Sequence, residues 1–177
     1  MSLSEIQSHD RKRWQSVAKS AKARLETRLF IDGEFCDAVE GGRFTTVNPA
    51  TGKTLATLSA GTSKDIDRAV AAAKAAFRSG CWSRIAPRER MDILYRFADL
   101  VDERAEELAV LETLDMGKPI RDVVAEDLPS VIKTIRFMAE GIDKIEGAVT
   151  NTDHDALHLV IREPLGVVGC ISPWNYP

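Results

Sequence analysis

Residues 162–177 read REPLGVVGCISPWNYP, and this stretch decides the fold class of the chain. Pro164 and Gly166 interrupt regular structure. Residues 167–171 are then apolar without alternation, which is typical of a strand covered on both faces in a mostly parallel sheet. Parallel neighbours need crossover connections of about a dozen residues or more, and only six residues follow Ile171. We therefore predict an α/β fold with an incomplete sheet, in which other polypeptide completes the sheet or the strand stays exposed.

The segment 147–163, directly before this stretch, predicts a second extended element. Its side chains alternate, with Leu157, Leu159 and Ile161 on one side and His158, Val160 and Arg162 on the other. Alternation of apolar and more polar side chains with a period of two residues is typical of a strand, and here it predicts a strand with one face more exposed to solvent.

Helical patterns occupy the middle of the chain. Thr62 and Asp65 have the spacing of a capping box, and apolar residues follow at helical spacing until Ser79-Gly80 ends the helix. Pro87 suits the first turn of a second helix, with a break near Asp102. A third helical region is predicted over residues 120–145, where Pro129 either kinks the helix or lies in its first turn.

Two hairpins are predicted before the helices. In LFIDGEF, residues 29–35, Asp32-Gly33 lies between apolar β-formers, and both residues can adopt positive φ. In the second hairpin, RFTTV and TLATL flank the turn residues 48–52, NPATG.

The first 28 residues are basic and contain one amphipathic pattern. Trp14, Val17, Ala18, Ala21 and Leu25 recur at helical spacing. A transit peptide is poor in acidic residues, whereas this segment contains Glu5 and Asp10. We therefore expect a helical surface arm.

Composition narrows the class of function. The chain has 177 residues, of which 44% are hydrophobic and 29% charged, with a net charge of -3. Such a balance gives no reason to expect nucleic acid or an anionic membrane as a partner, so a small-molecule substrate is favoured. The three cysteines, Cys36, Cys81 and Cys170, lack CxxC spacing, which favours a reducing cytoplasm and predicts no metal site.

The motifs together resemble the aldehyde dehydrogenase superfamily. Residues 162–177 are similar to its REPxGVxxxIxPWNxP signature, and the agreement extends over residues 29–177 through FIDGEF, NPATG, LETLDMGKPI and AEGIDKIEG. The sequence LETLDMGKPI is most similar to the corresponding segment in the branch of the family that oxidises aminoaldehydes such as γ-glutamyl-γ-aminobutyraldehyde.

The resemblance implies four segments. Residues 1–28 form the amino-terminal arm, and residues 29–146 form the amino-terminal part of a Rossmann-like cofactor domain, with hairpins and outer helices. Residues 147–163 form an oligomerisation arm that makes dimers or tetramers in the family. Residues 164–177 contain the first core strand of the cofactor-binding sheet.

The resemblance also implies a chemistry. In the family a cysteine thiolate attacks the aldehyde, hydride passes to NAD or NADP, and a glutamate activates water. Asn175 matches the family's oxyanion-hole donor, while Ile171, Ser172, Pro173 and Trp174 match the segment that lines the cofactor cleft. In members of the family the nucleophilic cysteine and the glutamate come well after the segment that residues 162–177 match. Cys170 is therefore not the nucleophile. We expect the 177-residue chain alone to be inactive.

Without the resemblance, the same residues have simpler interpretations. Asn175 is then a turn or cap residue and Trp174 a packing residue, and Gly166 with Gly169 does not make GxGxxG. Two other functions stay open: a non-catalytic assembly module that pairs with a full-length relative, and a helical interaction protein.

Overall fold

The computed structural model describes residues 3–173 and 175. The amino-terminal half contains, in chain order, α1 (Leu3–Gln7), α2 (Arg11–Ala23), β1 (Leu29–Ile31), β2 (Glu34–Cys36), β3 (Arg43–Val47), β4 (Thr54–Ser59) and α3 (Ser63–Ser79). The rest contains α4 (Pro87–Glu103), α5 (Ala105–Met116), α6 (Ile120–Asp122), a π-helical turn (Val123–Asp127), α7 (Leu128–Gly141), a 3-10 turn (Ile142–Lys144), β5 (Ala148–Thr150) and β6 (His158–Val160). None of the described helices is long and apolar enough to cross a membrane.

Both predicted hairpins are confirmed. Strands β1 and β2 pair antiparallel, and their turn residues Asp32 and Gly33 have φ of 55° and 83°. Strands β3 and β4 also pair antiparallel, and Gly52 in their connection has φ of 65°. Each sheet among the described residues has two strands, so none of them covers the helices with an extended face.

Helix α3 begins and ends where its local signals predict. The Asp65 carboxylate accepts hydrogen bonds from the backbone N–H groups of Thr62 and Val39, both at 3.0 Å. These hydrogen bonds lower the pKa of Asp65 and attach the helix to the loop after β2. Gly80 ends the helix with φ of 79°. The apolar side of α3 is only partly covered, since Ile66 is 62% exposed whereas Ala69 and Val70 are half-buried.

The core lies between α4, α5, α7 and the π-helical turn. Its buried side chains are Ile6, Ala98, Val101, Ala105, Ala109, Val123, Val124, Leu128 and Ile132. Pro87 opens α4 as predicted, and the break before α5 falls at Arg104, two residues after the predicted position. Pro129 lies in the first turn of α7, which is one of the two alternatives predicted for it.

The amino-terminal helix is confirmed as α2, whose residues are exposed or half-buried apart from Ala21, but the segment packs on the core and does not project from it. Ile6 is 2% exposed and Ala21 is 1% exposed, and the two amino-terminal helices pack against α5 and the π-helical turn. The physical reason is that α5 has apolar residues on several sides and needs cover on each. The domain boundary at residue 28 stays a prediction.

The predicted strand over residues 167–171 is not formed among the described residues, and the segment is exposed, which is one of the two alternatives stated for it. The segment has no regular structure, and Ile171 is 99% exposed. A strand needs a hydrogen-bonded neighbour, and no described strand pairs with it. The predicted strand with alternating side chains is confirmed only over β6, which pairs with β5. All residues of both strands are exposed, so neither face is less exposed to solvent than the other. The incomplete sheet is as expected.

Candidate functional site

Four of the five predicted site residues are described, and they lie at the exposed carboxyl end of the described chain. Ile171, Ser172 and Pro173 have no regular structure, and Asn175 lies in a turn with its side chain exposed. Trp174 is outside the described residues. The roles of all five therefore stay predictions.

The described residues do not by themselves build a nucleotide site. A Cβ atom added at Gly169 would meet no other atom within 4 Å, so no surface approaches the backbone closely there. Gly166, with φ of 104°, lies beside the exposed ring of Phe77 on α3, about 3.8 Å from the position its Cβ would take. This segment offers at most one edge of a cleft.

The cysteines are separate in the structure as in the sequence. Cys170 is exposed and lies in the segment that has no regular structure. Cys36 and Cys81 are also free thiols. Among residues 3–173 and 175, no three His, Cys, Asp or Glu side chains converge as metal ligands.

A groove of about 720 Å³ lies between α4, α5, the π-helical turn and α7, and the sequence did not predict it. Three carboxylates line it, those of Glu112, Glu126 and Asp127. Its apolar walls include Phe97, Val101, Leu108, Val123, Leu128, Val131 and Ile135. An apolar cavity with a few convergent polar groups is the usual form of a small-molecule site.

Asp127 is the most constrained of these carboxylates. It is 9% exposed, and its Oδ1 atom accepts a hydrogen bond from Lys118 Nζ at 2.5 Å. Its Oδ2 atom is buried and has no hydrogen-bond partner among the described residues. Asp127 ends the π-helical turn, a geometry that recurs at functional sites because it redirects side chains that a regular α-helix would place elsewhere.

The groove is acidic on balance. Burial raises the pKa of Glu112, and the nearby Asp127 carboxylate raises it further, while Lys118 acts in the opposite direction. Lys118 pairs with Asp127, so the carboxylates of Glu112 and Glu126 add further acidic groups to the lining and favour a second cation. The walls and charges together suit a ligand with an alkyl chain and a positively charged amine.

The signal that could have revealed the groove was weak. Glu126 and Asp127 interrupt an apolar helical pattern immediately before Leu128-Pro129, and a proline there is compatible with a helix irregularity. Sequence alone could not show that the interruption faces a cavity.

The family model described as "Aldehyde dehydrogenase family" matches residues 35–177. The chain therefore belongs to the aldehyde dehydrogenase family, and the resemblance of its motifs is confirmed.

Individual relatives agree with this assignment. The chain is 47% identical over 164 residues to the NADP/NAD-dependent aldehyde dehydrogenase PuuC of Escherichia coli (strain K12), a match that covers 93% of this chain and 33% of that protein. It is similar to the crystal structure of the aldehyde dehydrogenase KauB from Pseudomonas aeruginosa, with a TM-score of 0.92 and 46% identity over 96% of this chain and 34% of that one.

A third similar protein belongs to the branch named from the sequence. The γ-glutamyl-γ-aminobutyraldehyde dehydrogenase structure from Burkholderia cenocepacia J2315 has a TM-score of 0.88 and 41% identity, over 100% of this chain and 34% of that one. The chain spans about a third of the length of the relatives that it matches.

We expect the Lys118→Ala variant to lose about 3 kcal/mol of unfolding free energy, because it leaves the buried Asp127 carboxylate without its counter-ion. The matched control is Lys133→Ala on the exposed side of α7, which should change the free energy by at most about 0.5 kcal/mol. Urea unfolding followed by circular dichroism measures both. Equal losses in the two variants would show that the Lys118–Asp127 pair does not stabilise the π-helical turn.

Proposed function

We propose that the complete protein oxidises an aldehyde to a carboxylic acid with NAD or NADP. The family membership of residues 35–177 is the observation that carries this proposal. These residues would supply the outer helices of the cofactor domain, one edge of the cofactor cleft and the oxyanion donor. The three widely separated cysteines support a cytoplasmic location.

Asn175 is the residue of this chain that we assign to the chemistry. A neutral amide N–H can donate to the oxyanion that forms when a thiolate adds to the aldehyde, and it does not titrate as the charge develops. One such donor contributes about 3 kcal/mol to stabilising the transition state. Ile171, Ser172, Pro173 and Trp174 are assigned to the lining of the cofactor cleft, because they match the segment of the family signature that has this role.

In the complete protein, Asn175→Ala should lower kcat about 10²- to 10³-fold, because the transition state loses one donor. Asn151→Ala, at an exposed site in the segment between β5 and β6, is the control and should leave kcat unchanged. Steady-state NAD(P)H formation measures the effect, and the isolated 177-residue chain serves as a blank without turnover. Wild-type kcat in the Asn175 variant would remove this residue from the proposed oxyanion hole.

The acid-lined groove supports an aminoaldehyde as the substrate. Its volume of about 720 Å³ and its apolar walls suit an alkyl chain, and Glu112, Glu126 and Asp127 suit the ammonium end. Glu126 is the exposed carboxylate of the three, so it can be exchanged without leaving a buried group unpaired.

We therefore expect Glu126→Gln to raise the KM for an aminoaldehyde about 10-fold, since the ammonium loses a charge-assisted hydrogen bond. The KM for the neutral aldehyde of equal chain length should stay unchanged. Glu140→Gln, an exposed substitution on α7 away from the groove, is the matched control. A parallel change for both substrates would count against recognition of the amine by the groove.

The β5–β6 hairpin supports a homo-oligomer, a dimer or a tetramer. Both strands are exposed over their full length, and each has an edge that is unpaired within the described residues. Val149 and Leu157 are 70% and 73% exposed. Exposed strand edges with apolar side chains are suited to pairing with a second sheet.

In the complete protein, Val149→Asp should shift the mass measured by light scattering toward the monomer, because it places a charge in the proposed interface. Asn151→Asp introduces the same charge at a neighbouring polar position of the arm and should leave the mass unchanged. Full-size oligomers in both variants would argue against the arm as the interface.

A further inference from the structure

One of the most deeply buried side chains lies outside the part of the chain that the family model matches. Ile6, on α1, is 2% exposed, whereas the match begins at residue 35. Ile6 belongs to the same buried cluster as Val123, Val124 and Leu128, and α1 contacts the π-helical turn. The amino-terminal segment therefore contributes to the core of the matched region.

A polar cluster holds the two amino-terminal helices on α5. Arg13 Nη2 donates hydrogen bonds to both carboxylate oxygens of Glu106, at 2.9 Å to Oε1 and 2.8 Å to Oε2. His9 Nε2 is also hydrogen-bonded to Glu106 Oε1. Trp14 packs edge-on against the His9 ring with centroids 5.2 Å apart. Arg24 forms an ion pair of 3.2 Å with Glu107.

The charge on Glu106 is favoured within this cluster. Burial acts to raise its pKa, but the hydrogen bonds from Arg13 and His9 outweigh burial and hold the pKa below its usual value. The polar cluster therefore needs no titration of Glu106 to form near neutral pH. It holds α1 where Ile6 can reach the core.

The buried cluster and the acid-lined groove share walls. Val101, Val123 and Leu128 belong to the cluster that contains Ile6, and the same three residues line the groove. Ile6 therefore fills space in a core cluster of which three other members line the groove. A void at Ile6 would let these walls shift part of the way inward, because a core relaxes to a limited extent around a lost side chain.

We propose that α1 and α2 form a clamp that fixes the π-helical turn, and that Ile6 is a positioning residue for the groove. The clamp keeps Val123–Asp127 in its wide turn, and this turn determines where Glu126 and Asp127 lie. The effect on ligand binding rests on the proposed function of the groove as an amine site, whereas the effect on the turn does not.

Amide hydrogen exchange of the complete protein tests the clamp. In Ile6→Ala, the amides of residues 123–128 should exchange at least about 10-fold faster, while those of β3 and β4 keep their rates. Ile66→Ala makes the same chemical change at a side chain that is 62% exposed, and should alter neither region. Ile6→Val should restore most of the protection of residues 123–128.

Two results would overturn the clamp. One is unchanged exchange of residues 123–128 in Ile6→Ala, and the other is an equal rise over all amides, which reports loss of global stability only. If Ile6→Ala does not fold, Glu106→Gln tests the same idea without a cavity. It should speed exchange of residues 123–128 about 3-fold, and no change there overturns the proposal.

Binding of n-butylammonium separates the clamp from the proposed function. Chemical shifts of residues 112, 126 and 127 should report binding to the wild-type chain, weakened about 5-fold in Ile6→Ala and unchanged in Ile66→Ala. Locally faster exchange together with no binding to either protein keeps the clamp and rejects the amine groove. Equal binding by both proteins, despite locally faster exchange, overturns Ile6 as a positioning residue for the groove.

Discussion

Ala98, Ala105 and Ala109 have no exposed surface, and the packing around α5 depends on their small size. Methyl side chains let helices approach closely, and native cores have few voids into which a longer side chain could fit. Because α5 is apolar on several sides, it must be covered more than once. The amino-terminal helices supply one cover and the π-helical turn another. The position of the acid-lined groove therefore follows from how closely these elements approach α5.

Elements with local signals could be predicted from the sequence, because each signal acts within a few residues. Asp32-Gly33 specifies a turn through its own backbone preferences, Asp65 satisfies N–H groups at the start of α3, and Pro87 opens α4 without losing a hydrogen bond. The strand over residues 167–171 could not be predicted in this way. Its apolar pattern indicates only that the side chains favour burial. Strand formation also requires backbone hydrogen bonds to a second strand, which the pattern does not specify.

Burial and the groove were harder to predict for the same reason. The spacing of Trp14, Ala21 and their neighbours shows that α2 has an apolar face, but the partner of that face lies about ninety residues further along the chain, on α5. The groove depends on a π-helical turn, and no sequence pattern specifies an extra residue in a helical turn. The role of Asp127 can be inferred only from the structure, in which Lys118 Nζ lies 2.5 Å from its Oδ1 atom in a partly buried pair.

The predicted active site could be ordered by the same pairing that would complete the sheet. An oxyanion donor stabilises a transition state only when it is already held in place, because a mobile amide would have to be ordered during the reaction. Asn175 follows residues 167–171 by four positions and lies in an exposed turn. Pairing of that segment into a sheet would fix the backbone before Asn175 and bury Val168 and Ile171, now 67% and 99% exposed. Burial of these two side chains would then provide free energy that holds the proposed donor in place.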